Sequence, residues 1–319
     1  MLKPKLLLGC NFSDRFNRLL SMHYTIAGPF EVSRIDELLS ASVDARALIT
    51  KAGLASNQEI IDVCPSLELV ACFGTGYEGI DLARALERNL IVTHSPGANA
   101  SSVADFAIGL ILASTRQILA ADRFVREGHW VDSGVVNMPA VPGLRGAKLG
   151  IFGLGAVGKK VASRAVAFDM EVGYHGRSPK DGVPYLFLPT LEALADWADV
   201  LVIAARADGN NRHIINQDIM RRVGTSGHII NIARGSLVDQ MALVEALEKK
   251  TLAGAALDVF ENEPNLPERL LKAPNLVLSP HLAYATIDAR NAQEDMVLAN
   301  LEAHFHGLPA PNRVPFVSD

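Results

Sequence analysis

Cysteine is scarce in this chain of 319 residues, which carries three thiols at Cys10, Cys64 and Cys72. An odd count without paired short spacing excludes a disulfide framework and a cysteine-built zinc knot. It leads us to expect reduced thiols in a cytoplasmic setting. An excess of basic charge is lacking too. The 30 Lys and Arg face 35 Asp and Glu, a net charge of −5, so neither nucleic acid nor an anionic membrane is the expected partner. No run of about 18 apolar residues occurs, which leaves no expected membrane span. The apolar stretch that begins the chain stops near Gly9, too short for a signal-peptide core. His304 and His306 lie two apart on an expected helix and so do not share a face, which argues against a metal pair.

What is present is an alternation. Hydrophobic residues make up 49% of the chain and charged residues 20%, enough apolar material for two cores. Strand-type apolar runs fall at residues 5–8, 47–50, 69–72, 90–93, 148–152, 171–174, 200–204, 228–232, 254–258 and 276–278. Between most of them lie segments of helical spacing, such as 101–116 and 240–249. This order predicts an α/β protein with parallel sheets covered by helices. Four strands precede residue 100 and six follow residue 145, so the chain divides in two. The helix starting near Ser101 is apolar almost all round, as at a domain or subunit junction. The last helix, 288–306, stops at Gly307 with Pro309 beyond.

Residues 150–158 read Gly-Ile-Phe-Gly-Leu-Gly-Ala-Val-Gly. Gly153, Gly155 and Gly158 form a GxGxxG that follows a strand and opens a helix, which is the context a dinucleotide fingerprint requires. Gly153 permits the tight turn, Gly155 lets a pyrophosphate approach the backbone, and Gly158 lets helix and strand pack closely. The helix start offers free N–H groups to the phosphates. The next strand runs into Tyr174-His175-Gly176-Arg177-Ser178-Pro179-Lys180. An NAD enzyme usually places a carboxylate there, about 20 residues after the first glycine. Here Arg177 and Ser178 suit a 2′-phosphate instead. NADPH is therefore the expected cofactor, with NADH weaker.

In an open α/β sheet, ligands bind beyond the carboxyl ends of the strands. Three late strands deliver, in turn, Arg234, then Asp258 with Glu263, then His281. Reduction of a 2-oxo acid needs those properties. A guanidinium holds the carboxylate and polarises the carbonyl, an imidazolium supplies the proton, and a carboxylate behind the ring fixes its tautomer.

With these segments in view, the chain resembles the D-isomer-specific 2-hydroxyacid dehydrogenases. Within that family it looks closest to the NADP-linked glyoxylate and hydroxypyruvate reductases. The resemblance covers essentially the whole chain. It rests on Gly74-Thr-Gly-Tyr-Glu-Gly-Ile-Asp81, Ser95-Pro-Gly-Ala-Asn99, Val103-Ala-Asp105, the glycine fingerprint, the run from Asn231 to Asp239, the run from Asp258 to Pro264, and Pro280-His281. It implies two Rossmann-like domains. A flavodoxin-like substrate domain would comprise residues 1–99 with 287–319, and an inserted NAD(P)-binding domain residues 100–286. It implies Arg234 binding substrate, His281 as acid/base and Glu263 paired with it. Asp258 would contact the nicotinamide amide, and the backbone at Thr75 and Gly76 would hold the substrate carboxylate. Leu154, Ala156 and Val157 in the fingerprint, and Ala233 beside Arg234, complete the implied cofactor set. A homodimer is expected, with Trp130 as a residue that reaches a neighbouring subunit.

The chain also departs from the family pattern. A small residue and then serine usually follow the histidine, whereas this run is Leu282-Ala283-Tyr284-Ala285-Thr286. Tyr284, with Ala52 and Thr75, bears on the choice of substrate. A bulkier aromatic oxo acid of the hydroxyphenylpyruvate type is the alternative, and a non-catalytic NAD(P)-sensing protein on the same fold is another. Retention of Arg234, Glu263 and His281 together favours the enzyme.

Overall fold

The computed structural model describes residues 3–29, 40, 43–51, 53–54, 57–131 and 138–315. By internal contacts the chain forms two compact units, one from Met1–Asn99 with Thr286–Asp319 and the other from Ala100–Ala285. Among the described residues no single helix is long and apolar enough to cross a membrane.

The first unit contains β1 (Lys5–Leu8), α1 (Asp14–His23), β2 (Thr25–Ala27), β3 (Ala45–Thr50), α2 (Asn57–Val63), β4 (Leu69–Cys72), α3 (Leu82–Glu87) and β5 (Ile91–Thr93). Its five strands are all parallel, in the order β2-β1-β3-β4-β5, which is the flavodoxin-like order. Side chains alternate across a strand, and both faces of this sheet are covered. Leu7, Leu48, Val70 and Val92 bury one face against Ile60, Ile61 and Ala85. Leu6, Leu8, Ala47, Ile49, Leu69 and Ala71 bury the other against Phe16 and Leu20, and against Val297 and Leu301 near the end of the chain. Burial on both faces is why these strands read as unbroken apolar runs.

The second unit contains α4 (Ala100–Thr115), α5 (Ile118–Arg126), β6 (Lys148–Phe152), α6 (Ala156–Val166), β7 (Glu171–His175), β8 (Leu186–Phe187), α7 (Leu191–Trp197), β9 (Val200–Ile203), α8 (Gln217–Val223), β10 (His228–Asn231), α9 (Gln240–Glu248), β11 (Gly254–Leu257), α10 (Glu268–Leu271) and β12 (Leu276–Leu278). Its seven strands run in the order β12-β11-β10-β9-β6-β7-β8, all parallel. The order reverses beside β6, at the crevice where doubly wound sheets bind dinucleotides. The α4 helix lies inside this unit. Val103, Ala104, Ala107, Ile108 and Ile111 pack in one core with Leu149, Ile151, Val161, Ile230 and Ala256. Its all-round apolar character thus has a source within the unit.

The chain returns to the first unit through α11 (Ile287–Phe305), whose start is capped by the Thr286 hydroxyl accepting the Ala289 N–H. The tail after it extends the sheet edge, with the Val314 N–H donating to Val92 O at 2.8 Å.

The short edge strands β2 and β8 are absent from the sequence expectation. At three and two residues they carry no periodicity to read.

Candidate active site

The glycine loop joins β6 to α6. A Cβ on Gly153, whose φ is +100°, would lie 2.6 Å from the Ala205 backbone, and one on Gly158 would lie 2.2 Å from Gly153 O. Only glycine fits at either position. Gly155 has nothing within 4 Å of where its Cβ would be, so the loop backbone is open there. It is also the N-cap of α6 and makes no side-chain capping bond. Ser13, Thr190 and Asp239, by contrast, cap α1, α7 and α9 with side-chain oxygens. The open glycine and the uncapped helix start form a cradle that fits a pyrophosphate. Leu154 is buried, while Ala156 and Val157 form the first turn of α6.

At the tip of β7, Arg177 and Ser178 are exposed. The buried Tyr174 accepts the Lys180 N–H on its hydroxyl at 2.7 Å. That bond fixes the turn bearing Arg177 from beneath.

The neighbouring strands β10, β11 and β12 bring their carboxyl ends to one edge. After β10, the fully buried Asn231 shapes the loop. Its amide donates to Arg234 O at 2.9 Å, and its Oδ1 accepts the Ala233 N–H at 3.1 Å. The Arg234 guanidinium bonds Ala233 O at 2.7 Å. After β11, Asp258 is 1% exposed. Its Oδ1 accepts the Ser279 hydroxyl at 2.7 Å and the Leu282 N–H at 2.8 Å, while Oδ2 accepts the Ala283 N–H at 3.0 Å. Asp258 therefore clamps the loop that carries His281.

His281 sits in the left-handed region with φ +54°, a conformation a non-glycine residue keeps only when its surroundings impose it. Here the His281 N–H donates to Asp258 O at 2.9 Å and Ser279 O at 3.0 Å. Its Nδ1 donates to Glu263 Oε2 at 2.8 Å, which leaves Nε2 as the ring nitrogen directed elsewhere. The Phe260 N–H donates to the other oxygen of Glu263 at 2.9 Å. The Tyr284 ring stands perpendicular to the imidazole, with centroids 5.7 Å apart.

Thr75 and Gly76 belong to the first unit, after β4, and Gly74 precedes them at φ +130°. The Ser95 N–H donates to Gly74 O at 2.7 Å. His94 Nδ1 donates to Thr75 O at 2.9 Å, and the Thr75 hydroxyl lies 3.2 Å from Asn99 Oδ1. The residues after β5 thus brace this turn. Ala52 lies outside the described residues, and Trp130 is exposed.

Motif reading misses Ser279, His94 and the bracing role of Asn231. The one signal in the sequence for Asn231 is a lone amide at the end of an apolar strand, and such a group must find hydrogen bonds where it is buried.

A family model described as D-isomer specific 2-hydroxyacid dehydrogenase, NAD binding domain, matches residues 108–283. The chain is 41% identical over 262 residues to glyoxylate/hydroxypyruvate reductase A HPR2 of Arabidopsis thaliana, covering 82% of this chain and 83% of that one. It is 39% identical over 274 residues to hydroxyphenylpyruvate reductase of Plectranthus scutellarioides, covering 86% and 87%. Among solved structures it is similar to the NADPH-dependent glyoxylate/hydroxypyruvate reductase SmGhrB of Sinorhizobium meliloti in complex with NADP and malonate. That match has a TM-score of 0.89 and 37% identity over 99% of both chains.

Proposed function

The chain belongs to the D-isomer specific 2-hydroxyacid dehydrogenase family, and from that premise we propose that it reduces glyoxylate or hydroxypyruvate to the 2-hydroxy acid with NADPH. The observation that carries the reading is the 2.8 Å pair of His281 and Glu263, with His281 one strand end away from Asp258 and two from Arg234.

The residues take distinct roles in this proposal. Gly153, Leu154, Gly155, Ala156, Val157 and Gly158 hold the pyrophosphate, Ala233 and Asp258 the nicotinamide end, and Arg177 with Ser178 the 2′-phosphate. The nicotinamide ring, when bound, supplies hydride to C2 of the oxo acid. Arg234 binds the substrate carboxylate and polarises the carbonyl. Thr75 and Gly76 offer backbone N–H groups to the same carboxylate. His281 delivers a proton from Nε2 to the carbonyl oxygen as negative charge develops there. Glu263 holds Nδ1–H, fixes the tautomer and stabilises positive charge on the ring. The first unit, residues 1–99 with 286–319, serves substrate, and the second, residues 100–285, serves the cofactor.

An aromatic oxo acid is the second reading. Its support is the similarity to hydroxyphenylpyruvate reductase and the Tyr284 ring beside His281.

The test is the initial rate of NADPH oxidation, then of NADH oxidation, with glyoxylate, hydroxypyruvate and phenylpyruvate in turn. Fast NADPH oxidation with either small acid supports the first reading, and preference for phenylpyruvate supports the second. Tight cofactor binding without turnover of any acid would overturn both.

A further inference from the structure

Three loops follow β9, β10 and β11 at the active edge of the second sheet, and backbone bonds tie the first two together. The His213 N–H donates to Ser236 O at 2.8 Å, and the Ile215 N–H to Leu237 O at 3.0 Å. The second and third loops meet without room for a side chain. A Cβ on Gly235 would lie 1.9 Å from the Phe260 carbonyl carbon.

The first and third loops are joined by a side chain, that of Glu261. Its Oε2 accepts from His213 Nε2 at 2.9 Å and from the Arg212 guanidinium at 2.6 Å. Its Oε1 lies 3.5 Å from the Gln240 N–H, at the start of α9, where a helix favours negative charge. The carboxylate is 17% exposed. Burial by itself would raise its pKa. Hydrogen bonds from His213 and the Gln240 N–H, with the charges nearby, outweigh burial and hold it below the ordinary carboxylate value. His213 itself sits in the left-handed region at φ +53°.

The peptide between Phe260 and Glu261 is therefore fixed from two sides, by Gly235 and by the Glu261 side chain. Fixing it matters because the adjoining peptide, between Val259 and Phe260, carries the Phe260 N–H that donates to the Glu263 carboxylate, whose other oxygen meets His281.

We propose that Glu261 is a positioning residue of the reaction. Gripping His213 and Arg212, it holds the turn that points Glu263 at His281 and keeps that turn in step with the Arg234 loop. The proposal rests on the reading of Glu263 and His281 as the reacting pair.

The test compares Glu261→Gln, Glu261→Asp, His213→Gln and the double variant Glu261→Gln with His213→Gln, alongside His281→Ala. Each is assayed for kcat and KM with the oxo acid and for NADPH affinity by fluorescence. Glu261→Gln is expected to lower kcat about tenfold or more, with the oxo-acid KM changing less than about threefold and NADPH affinity unchanged. His213→Gln should act in the same direction, and Glu261→Asp should recover part of the loss. The double variant should be no worse than the more impaired single variant, because both changes break one link. Should Glu261→Gln fail to fold, His213→Gln and Glu261→Asp decide by the same kcat-against-KM criterion.

Unchanged kcat in Glu261→Gln beside an inactive His281→Ala would overturn the proposal, as would fully additive losses. Full activity in His281→Ala would instead overturn the reading beneath it.

Discussion

Asp258→Asn removes one charge and adds no bulk, and its consequence follows from the bonds that Asp258 makes. The carboxylate accepts three hydrogen bonds, from the Ser279 hydroxyl and from the N–H groups of Leu282 and Ala283. An amide has a single acceptor oxygen. If that oxygen keeps Ser279 and Leu282, the new NH2 faces the Ala283 N–H, donor against donor. A buried N–H then loses its partner, at about 1–3 kcal/mol. Two charge-assisted bonds become neutral ones, each weaker by about 1 kcal/mol. The amide is easier to bury than a charge, which offsets part of the loss. The sum is on the order of 3 kcal/mol. For a unit of this size, 1 kcal/mol moves Tm by about 2–4 °C, so a fall of about 6–12 °C is expected. Activity should fall further than stability does, because the loosened loop carries His281. A displacement of about 1 Å at a reacting group costs on the order of 10²-fold in rate. Thermal unfolding followed by circular dichroism gives the first quantity. Initial rates well below the variant's midpoint, where the protein is folded, give the second. A midpoint within about 2 °C of the parent, with kcat unchanged, would refute the clamp.

Three further outcomes are expected. Arg177→Ala should weaken NADPH by about 10–150-fold, the equivalent of one charge-assisted contact of about 1.5–3 kcal/mol, and leave NADH unchanged; equal losses for both, measured by fluorescence titration, would mean that Arg177 does not read the 2′-phosphate. His281→Ala should lower kcat by about 10²–10⁴-fold with cofactor affinity intact, and a collapse of cofactor binding would assign the residue a structural role. Burial beside Ser114 pushes His228 down to about 4, against about 6.5 in an unfolded chain. The unfolded state then binds the extra proton first, so stability present above pH 6.5 is lost as pH falls towards 4, by about 3 kcal/mol in all. Urea midpoints at several pH values should show this slope in the parent and less of it in His228→Gln.

Much of the fold was legible because both sheets are buried on both faces. Runs such as 69–72 and 148–152 appear as strands with the same limits in sequence and structure, since nothing polar interrupts them. Strand ends drift where a polar residue closes the run, as at His175, which belongs to β7. The candidate site was legible as an ordered set of strand ends, because topology alone assigns those to one edge. The bonds that brace it were not. Asp258 meets partners 21 to 25 residues away, and His94 reaches back 19 residues to Thr75. Local periodicity carries no information about such pairs. Glu261 reads in the sequence as one more exposed acid in a loop, and its partners at 212 and 213 lie in a different loop with no apolar pattern.

The first unit is completed by a segment that follows the whole of the second unit in sequence. Its core needs Val297 and Leu301 from α11, and its sheet edge needs Val314. The buried Glu294 carboxylate meets the Ser13 hydroxyl and the Arg15 guanidinium, each at 2.5 Å. Residues 100–285 are contiguous and can complete their unit on the ribosome, domains commonly folding as they emerge. Strands β1 to β5 are made before that unit and must wait for the segment after it, one face of their sheet being covered in the interval by α1 alone, through Phe16 and Leu20. Such late closure demands contacts of very long sequence separation, which slow folding. The segment most exposed to aggregation or to capture by chaperones during synthesis is therefore that of β1 to β5, although it leaves the ribosome before the second unit does.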